Sequence, residues 1–81
     1  MRMRQNIIFA TIMVVKSWDL AQFIAMGVDQ RNAIRRALNE DADKLIQEGD
    51  PNDPQLRRLR REIDEVNRLF DEFERRANAN L

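Results

Sequence analysis

The chain is 81 residues long, and its fourteen Lys and Arg balance fourteen Asp and Glu, with no His and no Cys. That length holds one small domain over residues 1–81, near the size at which a single core is barely sufficient. Zero net charge offers no global field for DNA, RNA or anionic lipid, and the missing His and Cys remove disulfides, thiolate chemistry, the usual zinc ligands and the commonest general base.

Residues 3 to 26 are read as the first helix. Ile7, Ile8, Thr11, Ile12, Val14 and Val15 are β-branched and would also suit a strand over residues 5–16. The helix is preferred because a strand would lack a partner within the chain and the apolar runs at 7–10 and 12–15 do not alternate. The following "SWDLAQFIAMG" continues in helix formers to a stop at Gly27. Arg2 and Arg4 precede the apolar run as a basic leader precedes a signal peptide's core. No clean cleavage motif follows, and Lys16, Ser17, Asp19 and Gln22 interrupt the stretch before the roughly 20 apolar residues a spanning helix needs. Neither a signal peptide nor a membrane span is expected.

The second helix is expected over 30–48, with Asp29 as N-cap, Ile34, Ala37, Leu38, Leu45 and Ile46 on one stripe, and Gly49 as a left-handed stop. "GDPND" then ends one helix and begins the next within a connection typical of antiparallel neighbours. The third helix, 54–78, is the clearest. Asp53 caps it and Pro54 sits at its first position, where a fixed φ helps and the missing N–H costs nothing. Leu56, Leu59, Ile63, Val66, Phe70, Phe73 and Ala77 alternate spacings of three and four, a heptad seam whose Leu59, Ile63, Val66 and Phe70 belong in the core. Asp64–Arg68, Asp71–Arg75 and Glu72–Arg76 are acid-before-base pairs that support it. The expected fold is all-α, an antiparallel up-down-up three-helix bundle.

Wound as one helix, residues 3–26 place Met3, Ile7, Ala10, Val14, Trp18, Ala21 and Ala25 on a stripe suited to face the other two helices. A second group, Phe9, Ile12, Met13, Leu20, Phe23 and Ile24, falls on roughly the opposite side with Lys16 in its midst. Two neighbours cannot cover both sides, and an exposed apolar surplus marks an interaction surface. These seven residues are therefore the candidate partner-binding set for another protein, with Phe9, Met13, Leu20 and Phe23 as anchors. The alternatives are a self-associating homodimer and a scaffold whose surplus belongs to a loose core.

Other motifs point to nothing more specific. "RRLRR" at 57–61 has neighbouring acids and no aromatic platform for bases, so nucleic acid is not expected. "NEDAD" at 39–43 and "DPND" at 50–53 lack a calcium loop's length and closing glutamate. Thr11 and Ser17 have no histidine to activate them. No catalytic residue, cofactor, metal or small-molecule substrate is expected.

The stretch "EGDPNDPQLRRLRREIDEVNRLFDEFERR", and with it about residues 29–78, resembles computationally designed helical bundles in its Gly-Asp-Pro connection, Asp-Pro helix start, regular seam and dense Arg/Glu faces. Residues 6–26 depart from that style. Among such proteins an over-hydrophobic helix implies a binding interface on an idealised scaffold.

Overall fold

In a computed structural model, residues 2–79 are described, with side chains from Gln5 onward. All four elements among them are helices: α1 (Arg2–Lys16), α2 (Leu20–Met26), α3 (Val28–Glu48) and α4 (Pro54–Ala79). The all-α class stands, and residues 5–16 are helical rather than extended. The expected three-helix count is corrected, because residues 3–26 form two helices. The axes of Gln5–Lys16 and Leu20–Met26 differ by 111°.

The break has a local cause. At the end of α1 the Ser17 hydroxyl donates to the Val14 carbonyl at 2.6 Å, so a side chain satisfies a terminal acceptor. Asp19 then turns extended at φ −100° and caps α2, accepting from the Gln22 N–H at 2.8 Å. Gln22 Oε1 accepts the Asp19 N–H at 2.9 Å in return, completing a capping box. Gly27, at φ 85° and ψ 155°, ends α2 in a region essentially reserved for glycine. α3 begins at once with Val28, and Asp29, expected to cap it, lies in its first turn instead.

α4 is 26 residues long, about 39 Å at helical rise, and runs most of the length of a body measuring 44 × 18 × 18 Å. α3 lies antiparallel to it: Arg35 reaches Asp71, Asn39 meets Asn67, and a Cβ on Gly49 would run into Leu56. Gly49 thus lies close against the Leu56 side chain, and its φ of −95° is not the expected left-handed geometry. α1 runs along α4 in the same direction, pairing Phe9 with Arg58 and Lys16 with Glu62 and Glu65. α2 crosses onto both α3 and α4. Asp53 caps α4 as expected, accepting from the Gln55 N–H at 2.9 Å.

The core follows the α4 seam. Leu56, Leu59, Ile63, Val66, Phe70 and Phe73 are all buried, joined by Ile8, Ile12, Val15, Phe23, Leu38 and Ala42. Phe23 stacks at 5.1 Å on Phe73, while Trp18 and Phe23 each meet the Phe70 ring at 6.0 Å, edge-on. Aromatic pairs of this kind add about 0.5–1.5 kcal/mol each beyond the area they bury. Of the three expected acid-before-base pairs on α4, Glu72–Arg76 forms at 3.0 Å, and Asp71 turns to Arg35 at 2.9 Å.

Candidate interaction surface

From Gln5 to Val15 the sequence holds no charged residue, so α1 is apolar around most of its circumference. A helix of that kind has no obligatory inner face, and its neighbours decide which side is buried. Here Ile8, Ile12 and Val15 turn inward, while Ile7, Ala10, Met13 and Val14 face solvent. Ile7 is 63%, Met13 66% and Val14 56% exposed, side by side on one helix. A smaller pair, Ile24 on α2 and Val28 on α3, is exposed near Gly27.

The inward choice satisfies the side chains at the edge of the buried stripe. With Ile12 inward, the Lys16 ammonium meets the Glu62 carboxylate and lies 2.8 Å from Glu65. These hydrogen bonds, Glu62 first and Glu65 second, raise the Lys16 pKa above its ordinary 10.5. The hydrogen bond from Lys16 in turn leads the effects that lower Glu65 below its ordinary 4.5. Phe9 is half-buried against α4 with the Arg58 guanidinium 5.0 Å from its ring centroid. Turning Ile7 and Val14 inward would swing Lys16 and Phe9 away from these partners.

The seven candidates accordingly separate. Met13 and Ile24 are exposed as expected. Phe9 and Leu20 are half-buried against the core, and Lys16 ties α1 to α4. Ile12 and Phe23 are corrected to core positions, at 1% and 0% exposure. The stripe expected to face inward is corrected as well: Ile7, Ala10, Val14, Ala21 and Ala25 are exposed, and only Trp18 is half-buried. The side chain of Met3 lies outside the described residues. Ile12 and the inward stripe of α1 follow the rotation of that helix that brings Lys16 and Phe9 to α4, whereas Phe23 follows the break at 17–19, which resets the helical phase so that α2 does not continue the stripes of α1. The signal is present as Asp19-Leu20-Ala21-Gln22, a capping-box spacing inside the supposed single helix.

Among the described residues no cluster of three or more carboxylates is placed to hold a metal ion. No single helix among them is long and apolar enough to cross a membrane, although α1 and α2 together pass that test as a bent pair. No protein-family model, curated protein or solved structure matches the chain.

Proposed function

We propose that the chain is a non-catalytic protein–protein interaction module that presents the outer face of α1 to a partner protein. The observation that carries this reading is the cluster of Ile7, Met13 and Val14, each more than half exposed on a helix segment without a charge. Single exposed apolar residues are ordinary on protein surfaces, but an adjoining group of large ones on a charge-free helix face is not. Ala10 lies between Ile7 and Val14 and leaves room for a close approach. The likeness of residues 29–78 to designed bundles agrees with this division of labour, α3 and α4 forming a regular hairpin that carries an atypical α1.

The test is a photo-cross-linking residue at position 14, with position 36 on α3 as the exposed control, introduced in the source that makes the protein. One discrete heavier adduct from position 14 and none from position 36 is the expected result. Absence of any adduct from position 14 would overturn the reading. An adduct at twice the mass of the chain would identify the homodimer instead.

A further inference from the structure

The first turns of α4 carry Arg57, Arg58, Arg60 and Arg61, with no acid between Asp53 and Glu62. Further along the helix Arg75 and Arg76 share Glu72, and Arg35 reaches across from α3 to Asp71 and Glu74. Arg58 turns to the Phe9 ring. Arg57, Arg60 and Arg61 are exposed, and among the described residues none of them makes an ion pair. Arg57 donates to the Asn52 carbonyl at 3.1 Å, a neutral acceptor that leaves its charge unanswered. Spaced by one, three and four positions, the three arginines are neighbours on one side of the helix, and with Pro54 they line a single concavity. Asp64, one turn on, lines the next concavity with Arg60 without pairing with it. Arg57 and Arg60 also rim a groove of about 480 Å³ at the α3–α4 connection, where Ile46, Gly49, Pro51 and Leu56 supply the apolar surface. The two shared arginines join the concavities into one surface, cationic at one end and apolar at the other.

We propose that this surface binds a small single-chain amphiphile, its phosphate monoester head on Arg57, Arg60 and Arg61 and its aliphatic chain along Ile46, Pro51 and Leu56. Three uncompensated guanidiniums fix the sign of the head. Their compactness favours phosphate over carboxylate: two carboxylate oxygens fill one guanidinium fork, whereas a phosphomonoester brings three terminal oxygens and close to two charges at neutral pH. The groove fixes the body, since its lining offers aliphatic contact and no aromatic ring on which a base would stack. Its volume lies within the roughly 300–1,000 Å³ typical of small-molecule sites. The site uses no residue of α1, so it stands or falls separately from the interaction reading above.

The experiment titrates the full chain with methyl phosphate, octyl phosphate, octanoate and octyltrimethylammonium, each octyl probe below its micelle-forming concentration, and follows backbone amides by two-dimensional NMR. Octyl phosphate should shift the amides of Arg57, Arg60 and Arg61 together with those of Ile46 and Gly49. It should bind about tenfold or more tightly than methyl phosphate, through the buried chain, and more tightly than octanoate, through the head. Added salt should weaken it. Octyltrimethylammonium should leave these amides unmoved. Combined Arg57→Gln, Arg60→Gln and Arg61→Gln, shown to be folded by circular dichroism, should weaken octyl phosphate about tenfold or more, while Val14→Asp on α1 leaves its affinity unchanged. Equal affinity for methyl and octyl phosphate would overturn the apolar body and leave an adventitious ion only. Equal affinity for octyl phosphate and octanoate would overturn the phosphate head, and equal affinity for octyltrimethylammonium would overturn any anionic head. Shifts confined to Ile7, Met13 and Val14 would overturn the location, and the absence of any shift would overturn the site. The probe comparisons are made on the unaltered chain, so they decide the matter even where the triple variant does not fold.

Discussion

Asn39 on α3 and Asn67 on α4 hold one another by their side-chain amides in both directions, at 2.8 Å and 3.0 Å. The Asn67 oxygen also accepts from Arg35 Nε at 3.0 Å, and the Asn39 amide donates to the Arg35 carbonyl at 2.9 Å. In a half-buried position such a reciprocal pair is satisfied in only one alignment of the two helices. It sets the register of the hairpin that carries α1.

Asn67→Ala should therefore cost about 1–3 kcal/mol, because it strands the Asn39 amide and the Arg35 Nε. Replacing both asparagines by leucine should cost less, since no orphaned amide remains and only Arg35 Nε loses its acceptor. Urea unfolding of the single and double variants checks this. A single variant as stable as the parent would show that the pair has no part in the register.

The α4 seam is legible in the sequence because its spacing leaves one solution. Charged residues occupy most of the face opposite Leu59, Ile63, Val66 and Phe70, so the buried side follows from the sequence alone. α1 offers no such contrast. With apolar residues on every side, its orientation is set by Lys16 reaching Glu62 and Glu65 across 46 and 49 positions, a relationship that no local pattern displays. Phe23 is misplaced by the helical wheel for a different reason, the cap at Asp19 that interrupts it. Met13 and Ile24 fall on the surface from the sequence pattern, while Ile7 and Val14 join them only once α1 is oriented.

Phe23 and Met13 should consequently respond in opposite ways. Phe23 is fully buried between Phe70 and Phe73, and Phe23→Ala should cost about 3–5 kcal/mol. Met13→Lys places a charge in solvent and should change stability by under about 0.5 kcal/mol. Thermal melts followed by circular dichroism separate the two. Loss of helix in the Met13→Lys variant would mean that the α1 outer face is covered by its own bundle.

Gly27 tests the junction of α2 and α3. Nothing lies within 4 Å of where its Cβ would be, so Gly27→Ala should be disfavoured by backbone strain alone, about 1–3 kcal/mol at φ 85°. Denaturant unfolding measures it. A neutral or stabilising effect would contradict the observed backbone geometry.

The contact of Lys16 with Glu62 and Glu65 should leave a mark at both ends of the pH scale. Glu65 is lowered, so its contribution is present above its ordinary 4.5 and is lost as pH falls through the folded value. Lys16 is raised, so its contribution is present below 10.5 and is lost as pH rises through its folded value. Both groups are largely exposed, and the effect should be small and reduced by salt. Lys16→Met should shrink the loss of stability on each limb. Identical pH profiles for parent and variant would show that the contact contributes nothing in solution.

If a partner covers the outer face of α1, as proposed, the oxidation rate of Met13 reports on it directly. Hydroxyl-radical footprinting read by mass spectrometry compares Met13 in the purified chain with Met13 in the intact source. In the purified chain Met13 should oxidise readily, given its 66% exposure. In the intact source it should be protected several-fold, while exposed residues on the outer side of α3 such as Lys44 are modified equally in both. Equal oxidation of Met13 in the two settings would contradict the claim.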